Sequence, residues 1–553
     1  MSHRRMLSQD SVTSSICSAG PGSRKKVAVV GGGCAGIAAL WALNKSHHDV
    51  YLYEASSKLG GYTNTVKWKA GKYEVSVDAG FAVLNSATSS NFLNFLKRAK
   101  VETQTSEITF SVSQDYGLFE WASTGLDALF CQRRNLLSPR MWRMVFDVIR
   151  FNHFASELLL ADETVDHPFV AANHTSLNGS HVNGNGYRPS QESKGFEETI
   201  GEYLEKEGYS DTFKNDYLIP LTAALLTTNP DKRILDIPAV NLVRFMWNNH
   251  LLSVVRKRPD WLTLKDCGKS YIEAVMRGFP PNHLFLNTAV THVSNTADGK
   301  VRVHLPNGRY EVYDHVILTT SGDEAYRIIE PTATPEEKDI LRSFQSSEST
   351  VILHSDPALM PAARKAWSGW NYLTVSSPTE GKRDLGSRSS LTYYMNKLQH
   401  IPRDPFGDVF VTINPVRLPH PSRIQACFTR RRPLYTSEAI HAQALLPRIQ
   451  NTRGISYAGA WTKHGFNEDA FSSGLKVAQD HLGVRLPFRF VDSTYSRDPV
   501  PVLGTVDLLL RVVIFFVQIF VVQVLERLSV VGKDMLNLHI DNARRSLHGR
   551  KVV

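Results

Sequence analysis

The chain has 553 residues, of which 42% are hydrophobic and 21% charged, and its formal net charge is +10. This length is large for a single core, so we expect two or more structural domains. No block of lysine and arginine is interleaved with aromatic residues, which argues against a nucleic-acid partner. The five cysteines are scattered without a C-x-x-C pair, which argues against a disulfide framework and against a metal site.

Residues 1–24 are rich in serine and contain a single acid, and they lack the apolar run of a secretory signal peptide. We predict that this segment is a disordered lead. Because it is also poor in acids, a mitochondrial presequence is the alternative.

The stretch VAVVGGGCAGIAALWAL at 27–43 predicts a strand, a glycine turn and a small-residue helix. The spacing Gly31-x-Gly33-x-x-Gly36 is typical of a turn that binds a dinucleotide. A second strand follows in HDVYLYEAS and ends at Glu54, whose carboxylate can accept hydrogen bonds from ribose hydroxyls. We therefore predict a dinucleotide site, with a glycine-rich turn in another kind of α/β protein as the alternative.

The middle of the chain alternates between helical and strand patterns. Residues 126–160 carry Trp, Phe, Met and Arg at helical spacing, and 284–320 contain three short alternating segments typical of strands. Between them, the segment 162–194 is rich in His, Asn, Ser and Gly. Such a composition cannot bury enough apolar area to become ordered, so we predict a disordered surface insertion.

Two aromatic segments are candidates for the lining of a substrate site. WSGWNYL contributes Trp370 and Tyr372, and LTYYMNKLQ contributes Tyr393 and Tyr394. Aromatic side chains with a few polar groups suit an apolar small-molecule ligand. Strands of an ordinary core are the alternative.

The chain ends with an apolar segment and a basic tail. The uncharged run at 512–525 would form a helix of about 21 Å, which is shorter than the roughly 30 Å of a bilayer core. We predict a membrane-associated helix at 500–527 and a basic tail at 528–553 that faces anionic lipid head groups. Whether the helix spans the bilayer or lies in it stays open, and a buried core helix is the alternative. One polar stripe is expected along this helix, made of Asp507, Arg511 and Gln518.

Three further motifs occur in order: EASSKLGGYTNTV after the second strand, VDAGF further on, and ISYAGAWTKHGFNEDAFSSGLKVAQ near the end. Over 25–483 the sequence resembles the flavin-containing amine oxidoreductase superfamily, which includes monoamine and polyamine oxidases, carotenoid desaturases and a flavin-dependent fatty acid isomerase. The stretches GFAVLN, TFSVS and CQRRNLL are similar to those of an NAD/FAD-binding branch. The resemblance implies an α/β fold with a Rossmann-like FAD-binding domain of the amine oxidase/glutathione reductase type. An interleaved α+β substrate domain would accompany it.

This resemblance divides the chain into alternating segments. We expect the FAD-binding domain to be built from 25–100, 256–344 and 446–483. The substrate domain would come from 101–255, which includes the disordered insertion, and from 345–445. The membrane-associated helix and the basic tail would follow the last FAD-binding segment.

The resemblance also implies FAD as the cofactor. It would be held without a covalent bond, because no cysteine lies in the last motif. Gly31, Gly33 and Gly36 would cradle the pyrophosphate at the amino terminus of the helix, where the helix dipole favours anions. Glu54 would hold the adenosine ribose.

Further FAD contacts follow from the second glycine pair of the family, Gly60 and Gly61, whose backbone would pass under the cofactor. The arginine that commonly follows this pair is replaced by Tyr62, so a charge partner for the phosphates is missing unless Lys58 supplies it. Val290 matches the position whose backbone reads the adenine edge, and plain strand core is its alternative role.

The last motif would place Gly459, Ser473 and Gly474 near the flavin ring. The acid that usually follows the first of these glycines is an alanine here. Glu468 or Asp469 would take the contact with the ribityl chain instead. Either acid could equally be a solvated residue at the start of a helix.

Two departures from the family pattern argue against amine oxidation. The strand SESTVILHSD lacks the lysine that holds a water near the flavin in the oxidases, and the pair of aromatic residues that flanks an amine is not evident. Trp461 and His464 are the candidate catalytic residues, the first as one face of the site and the second as a general base or a neighbour of the flavin. Each could equally be a buried structural residue.

We therefore expect an FAD-dependent oxidoreductase that dehydrogenates, desaturates or isomerises a lipid-like or polyene substrate at a membrane. An amine oxidase that produces peroxide and a non-catalytic scaffold stabilised by FAD are the alternatives. The catalytic domain is expected to face the cytosol, with a mitochondrial location also open. The sequence does not identify the electron acceptor.

Overall fold

The computed structural model describes residues 23–162, 198–226, 232–252, 259–376, 388–493 and 504–527 except 526. The predicted lead up to residue 22, the surface insertion beyond residue 162 and the basic tail lie outside the described residues. The strands are β1 Lys26–Val30, β2 Asp49–Tyr53, β3 Thr65–Ala70, β4 Tyr73–Asp78, β5 Leu84–Asn85, β6 Thr103–Thr105, β7 Phe110–Gln114, β8 Phe119–Ala122, β9 Trp261–Leu264, β10 Leu284–Phe285, β11 His292–Asn295, β12 Val301–His304, β13 Tyr310–Tyr313, β14 His315–Leu318, β15 Ser346–His354, β16 Trp370–Val375, β17 Arg388–Tyr394, β18 Phe410–Ile413, β19 Ile424–Pro433 and β20 Ile455–Tyr457. The helices are α1 Cys34–Leu43, α2 Ser90–Ala99, α3 Leu126–Leu129, α4 Pro139–Phe154, α5 Glu157–Asp162, α6 Ile200–Lys206, α7 Asp211–Phe213, α8 Ile219–Leu226, α9 Ala239–Asn248, α10 Lys269–Met276, α11 Gly322–Ile329, α12 Pro335–Leu341, α13 Met395–Leu398, α14 Arg403–Phe406, α15 Ser437–Leu445, α16 Asn467–Leu482 and α17 Thr505–Val517.

A five-stranded parallel sheet has the strand order β10-β2-β1-β14-β20. Its central strands are apolar because both faces of the sheet are covered, as is usual for parallel sheets. Val27, Leu52 and Ile317 are fully buried, and every residue of α1 is buried between the sheet and α16. This parallel sheet confirms the predicted α/β class.

The second large sheet has seven strands in the order β19-β15-β18-β17-β16-β7-β8. Its pairs are antiparallel except for β16 and β7, which run parallel. One face carries apolar side chains into a large core, to which α4, α8 and α9 also contribute. Strand β19 is the edge strand at one side of this sheet.

The strands of the two sheets come from alternating parts of the chain. The parallel sheet is built from strands that lie before residue 54, between 284 and 318, and at 455–457, whereas the seven-stranded sheet uses strands from 110–122 and 346–433. The predicted domain boundaries are compatible with this alternation, and they stay predictions.

Helix α17 is followed by a π-helical turn at Gln518–Val522. In the helical segment Thr505–Leu525, the most apolar stretch has a mean hydropathy of 2.6, and 11% of that stretch is buried. The guanidinium of Arg511 contacts the carboxylate of Glu157 and the carbonyl of His153. The helix is therefore fixed to the α4–α5 region by one buried arginine. It is not the buried core helix that the sequence left open.

Candidate functional site

The glycine turn joins the end of β1 to the start of α1. A Cβ atom on Gly36 would lie 1.9 Å from the carbonyl oxygen of Gly31, so only glycine allows the helix to approach the turn this closely. Gly31 has a φ of +110°, which also favours glycine. The hydroxyl of Thr319, after β14, donates to the Gly31 carbonyl at 2.7 Å. The neighbouring strand thus holds the turn in place.

Gly33 is the residue that faces open space. Its backbone is extended, with φ −74° and ψ −175°, and a Cβ atom placed on it would meet no other described atom within 4 Å. No side chain caps α1, and its first turn contains no acid. The first amide groups of α1 are therefore free to bind an anion that approaches over Gly33.

Glu54 lies directly beside this turn, at the carboxyl end of β2. Its Oε2 atom accepts a hydrogen bond from the backbone N–H of Gly32 at 2.6 Å, and its Oε1 atom accepts from the N–H and the hydroxyl of Ser56 at 2.8 and 2.7 Å. The carboxylate is thus fixed at the edge of the space in front of the glycine turn.

The second glycine pair crosses the same turn. Gly60 and Gly61 have φ values of +121° and +55°, and the N–H of Gly60 donates to the carbonyl of Gly32 at 2.8 Å. A Cβ atom on Gly61 would lie 3.0 Å from the Cα atom of Gly33. The structure therefore brings the two predicted glycine motifs into contact.

Lys58, the predicted charge partner of the phosphates, donates to the amide oxygen of Asn64 at 2.8 Å. Its role toward the cofactor stays a prediction. A second cation lies near the replaced arginine position, since the guanidinium of Arg432, in β19, lies 4.7 Å from the centre of the Tyr62 ring. The Tyr62 hydroxyl is buried and has no hydrogen-bond partner among the described residues. Sequence reasoning missed Arg432 because it is distant in the chain from the glycine motifs.

Val290 lies in the segment between β10 and β11, with 8% of its surface exposed. Its side chain joins the apolar cluster that contains Val30 and Tyr53. Its backbone amide makes no hydrogen bond to another backbone group in the described part of the chain. The side chain is thus core, and the backbone is compatible with the predicted role at the adenine edge.

Gly459 and Ser473 are joined by a hydrogen bond, in which the N–H of Gly459 donates to the Ser473 hydroxyl at 2.9 Å. Gly474 has a packing role, because a Cβ atom there would lie 2.2 Å from the carbonyl oxygen of Ala35 in α1. The last motif therefore holds α16 against α1, the helix that follows the glycine turn.

The two acids of this motif make hydrogen bonds within the protein, and the ribityl role that the sequence offered them stays a prediction. Glu468 accepts from the N–H groups of Asn91 and Phe92 at the start of α2, and burial raises its pKa to about 7. Asp469 accepts from the N–H of Phe466 and from the hydroxyl of Ser493. Neither is a solvated acid, since each is 4% exposed.

Asn467 is a polar residue that sequence reasoning missed. It is the first residue of α16, and its side-chain nitrogen is buried without a hydrogen-bond partner in the described residues. The backbone carbonyl of Asn467 accepts a hydrogen bond from the thiol of Cys34, the residue after Gly33. An amide group is therefore available beside the glycine turn.

Trp461 and His464 lie in different environments. Trp461 is 4% exposed, packs on Phe344 with a ring separation of 4.5 Å, and donates to the carbonyl of Thr320 at 2.9 Å. These contacts fit the alternative of a buried structural tryptophan, and its catalytic role stays a prediction. His464 lies between the rings of Phe245 and Tyr435, and burial lowers its pKa. The neutral imidazole remains a candidate base.

The four aromatic residues proposed for the substrate site divide between the two faces of the seven-stranded sheet. Trp370, Tyr372 and Tyr393 are buried on the face that meets the large core. Tyr394 points to the opposite face, packs on Phe410 and donates to Asp408. Successive strand residues alternate between faces, so Tyr394 cannot line the same site as Tyr393.

The sequence model of the family described as flavin containing amine oxidoreductase matches residues 34–390. The chain belongs to this family. No curated protein matches the chain.

Several solved structures share the fold of this chain. The fatty acid isomerase from P. acnes that produces CLA is 14% identical with a TM-score of 0.52, over 82% of this chain and 98% of that one. A putrescine oxidase bound to putrescine is 13% identical with a TM-score of 0.54, over 83% and 99%. A putative protoporphyrinogen oxidase from Exiguobacterium is 15% identical with a TM-score of 0.53, over 83% and 99%.

FAD is therefore the cofactor of this flavin-containing oxidoreductase, and the residues around the glycine turn fit it. The open space over Gly33 and the uncapped start of α1 suit a pyrophosphate, and Glu54 lies where a ribose hydroxyl can be held. The unpartnered amide of Asn467 and the buried hydroxyl of Tyr62 are polar groups that a bound cofactor can satisfy. Among the described residues, no group of three His, Cys, Asp or Glu side chains could hold a metal ion.

Changing Glu54 to alanine should weaken FAD binding by about 1 to 3 kcal/mol, because a hydrogen bond to a charged group is lost. The measurement is the dissociation constant of FAD for the apoprotein. Glu102→Ala is the matched control, since this exposed glutamate pairs with Lys265 on the surface. Equal FAD affinity of the Glu54 variant and the wild type would show that the carboxylate does not contact the cofactor.

Proposed function

We propose that the protein is a membrane-associated FAD-dependent oxidoreductase that dehydrogenates, desaturates or isomerises an apolar, lipid-like or polyene substrate. A bound flavin accepts hydride or electrons, and the protein supplies binding, orientation and the exclusion of water. The observation that carries the proposal is the apolar face of the seven-stranded sheet. Trp370, Tyr372 and Tyr393 lie on that face, which ends at an edge strand in contact with Tyr62 beside the glycine turn.

Residues near the glycine turn favour an apolar substrate over an amine. The strand that carries a lysine in the family's oxidases is β15, which contains no lysine. Its neighbour β19 places the buried cation Arg432 beside Tyr62. A positive charge at this position disfavours a substrate that is itself an ammonium ion. We propose His464, whose pKa burial lowers, as the neutral base that accepts a proton from a carbon acid or a water.

The C-terminal helix supports the membrane part of the proposal. Val512, Val513, Phe515, Phe516 and Phe520 are each more than half exposed. A contiguous exposed apolar surface of this kind marks a membrane or protein contact. Leu137, before α4, and Trp142, near the start of α4, are two further exposed apolar side chains.

The contacts of this helix favour one that enters a single leaflet over one that spans the bilayer. Arg511 and Ile514 are buried against the body, so the first turns of α17 cannot leave it without breaking the contact with Glu157. The residues beyond Ile514 as far as Leu525 extend about 16 Å, which is half of a bilayer core. We therefore propose insertion into one leaflet. The basic tail would then contact anionic lipid head groups.

Simple primary amines are expected to be poor substrates, because β15 lacks the lysine and β19 supplies a cation. The measurement is peroxide production in air with putrescine and benzylamine. Little peroxide above the rate without substrate is expected. Rapid peroxide production from either amine would contradict the proposal and favour an amine oxidase.

The function is tested by anaerobic incubation of the FAD-loaded protein with a panel of unsaturated lipids, followed by product analysis. Dehydrogenation or desaturation should bleach the flavin spectrum, whereas isomerisation should shift double bonds without net bleaching. If no lipid is changed and the flavin spectrum responds to none of them, the protein is better described as a scaffold stabilised by FAD.

A further inference from the structure

A group of exposed apolar side chains lies at the start of α4, on the folded body of the protein. This apolar corner consists of Leu118, Leu136, Leu137 and Trp142, and Leu137 is 89% exposed. The guanidinium of Arg134 donates to the carbonyl of Leu118, and the indole N–H of Trp142 donates to the carbonyl of Leu136 at 2.8 Å. These contacts join the β7–β8 turn, the turn before α4 and the first turn of α4 into one surface.

The outer face of α4 leads from the apolar corner to the C-terminal helix. One stripe along this face is formed by residues spaced four, three and four apart, Trp142, Phe146, Ile149 and His153. Trp142 and Ile149 are exposed, and Phe146 is partly exposed. At the far end, the carbonyl of His153 accepts a hydrogen bond from Arg511 of α17. The stripe is about 17 Å long and ends where α17 contacts the body.

The charged side chains around the apolar corner are mostly cationic. Arg133 and Lys365 pair with the same carboxylate, that of Asp127. Arg134 forms no ion pair with an acid among the residues that the structure describes, and its guanidinium contacts backbone carbonyl groups. Cations beside exposed leucine and tryptophan side chains are typical of a surface that lies in the head-group region of an anionic bilayer.

We propose that the apolar corner and the outer face of α4 form a second membrane contact, in the leaflet that α17 enters. This inference rests on the membrane part of the proposed function. A second copy of the chain fits this surface less well, because a symmetric dimer would bring the cations of the two corners together. With two points of contact, the body is held in one orientation to the bilayer and does not rotate freely about α17.

The first test measures the surroundings of single fluorophores on the full-length FAD-loaded protein bound to vesicles of phosphatidylcholine and phosphatidylserine. An environment-sensitive label is attached to Leu137→Cys in a parent chain whose Cys17 and Cys427 are replaced by serine, and the parent treated in the same way is the blank. The label should emit further to the blue when vesicles are added. Lipids with a nitroxide on the acyl chain should quench it.

Two other labelled positions calibrate this measurement. Tyr310→Cys is the matched control, because Tyr310 is an exposed aromatic residue on β13, in a different sheet. Its label should be quenched several-fold less than the label at 137. Phe516→Cys reports the contact of α17 itself and should be quenched at least as strongly as the label at 137.

The second test measures how much the apolar corner contributes to binding. Because the side chain of Leu137 is almost entirely exposed, Leu137→Ser should keep the FAD content and the melting temperature of the wild type. Its partition coefficient into the same vesicles should fall about tenfold, as expected when one large apolar side chain is no longer buried in lipid. Tyr310→Ser should bind the vesicles as the wild type does.

The outcomes separate this inference from the proposed function. A label at 137 that is neither shifted nor quenched, while the label at 516 is quenched, would overturn the second contact alone. A label at 137 that is shifted but not quenched by lipid would also overturn it, because protein would then cover the corner. If the labels at 137 and 516 are both unquenched, the membrane part of the proposed function fails as well.

Discussion

Changing Gly33 to valine is expected to give a folded protein that does not bind FAD. The extended backbone of Gly33 accepts any residue, and a Cβ atom there meets no described atom within 4 Å, so the fold should tolerate the change. The valine side chain would fill the space through which the pyrophosphate reaches the amide groups of α1. The measurements are the FAD content of the purified protein and its circular dichroism spectrum. Full FAD occupancy in Gly33→Val would refute the assignment of this turn.

Gly36→Val is the matched control three residues further on. Its Cβ atom would lie 1.9 Å from the Gly31 carbonyl, so this change should prevent the helix from packing on the strand. Loss of the folded protein is expected in this variant, in contrast to loss of FAD alone in the Gly33 variant. A folded, FAD-free Gly36→Val protein would show that the two glycines do not have the separate roles assigned here.

Ending the chain before Val500 is expected to give a protein that is soluble without detergent and still yellow. Burial of large apolar side chains in a bilayer contributes about 1.5 to 3 kcal/mol each, so removing α17 removes most of the attraction to membranes. The full chain should sediment with membranes and be released by detergent but not by salt. The measurements are sedimentation and flavin absorbance. A full chain that stays in the supernatant, or a truncated chain without FAD, would contradict the proposal.

The position of the cut follows from the contacts of the segment before it. The N–H of Val491 donates to Asn91 at 3.0 Å, and the hydroxyl of Ser493 donates to Asp469 at 3.0 Å. A chain that ends before Pro487 loses both contacts and should be less stable, with a lower melting temperature. Comparison of the two truncations therefore separates the membrane helix from the part of the tail that supports the fold.

The local motifs were predictable from sequence because their physics is local. The spacing of Gly31, Gly33 and Gly36 determines which glycine makes the turn, which faces a ligand and which packs on the strand. In the structure, Gly31 has a positive φ and Gly33 faces open space. A Cβ atom on Gly36 would lie 1.9 Å from the carbonyl oxygen of Gly31. Gly61 follows the same logic, since its close approach to Gly33 excludes a side chain.

The rest of the site depends on contacts between distant segments, which sequence spacing does not report. The buried carboxylate of Glu468 caps α2 through the amides of Asn91 and Phe92, and nothing near Glu468 in sequence indicates this. Arg432 reaches Tyr62 only because β19 is the edge of the seven-stranded sheet. The error at Tyr394 was avoidable, because adjacent residues of a strand point to opposite faces.

The central proposal is that this flavoprotein acts on an apolar substrate and not on an amine. The most direct measurement is an anaerobic comparison of an unsaturated fatty acid with the amine of the same chain, in which flavin absorbance and products are both recorded. The account predicts that the fatty acid is converted, with a reduced flavin or a shifted double bond, while the amine is left unchanged. Conversion of the amine with no change in the fatty acid would contradict it.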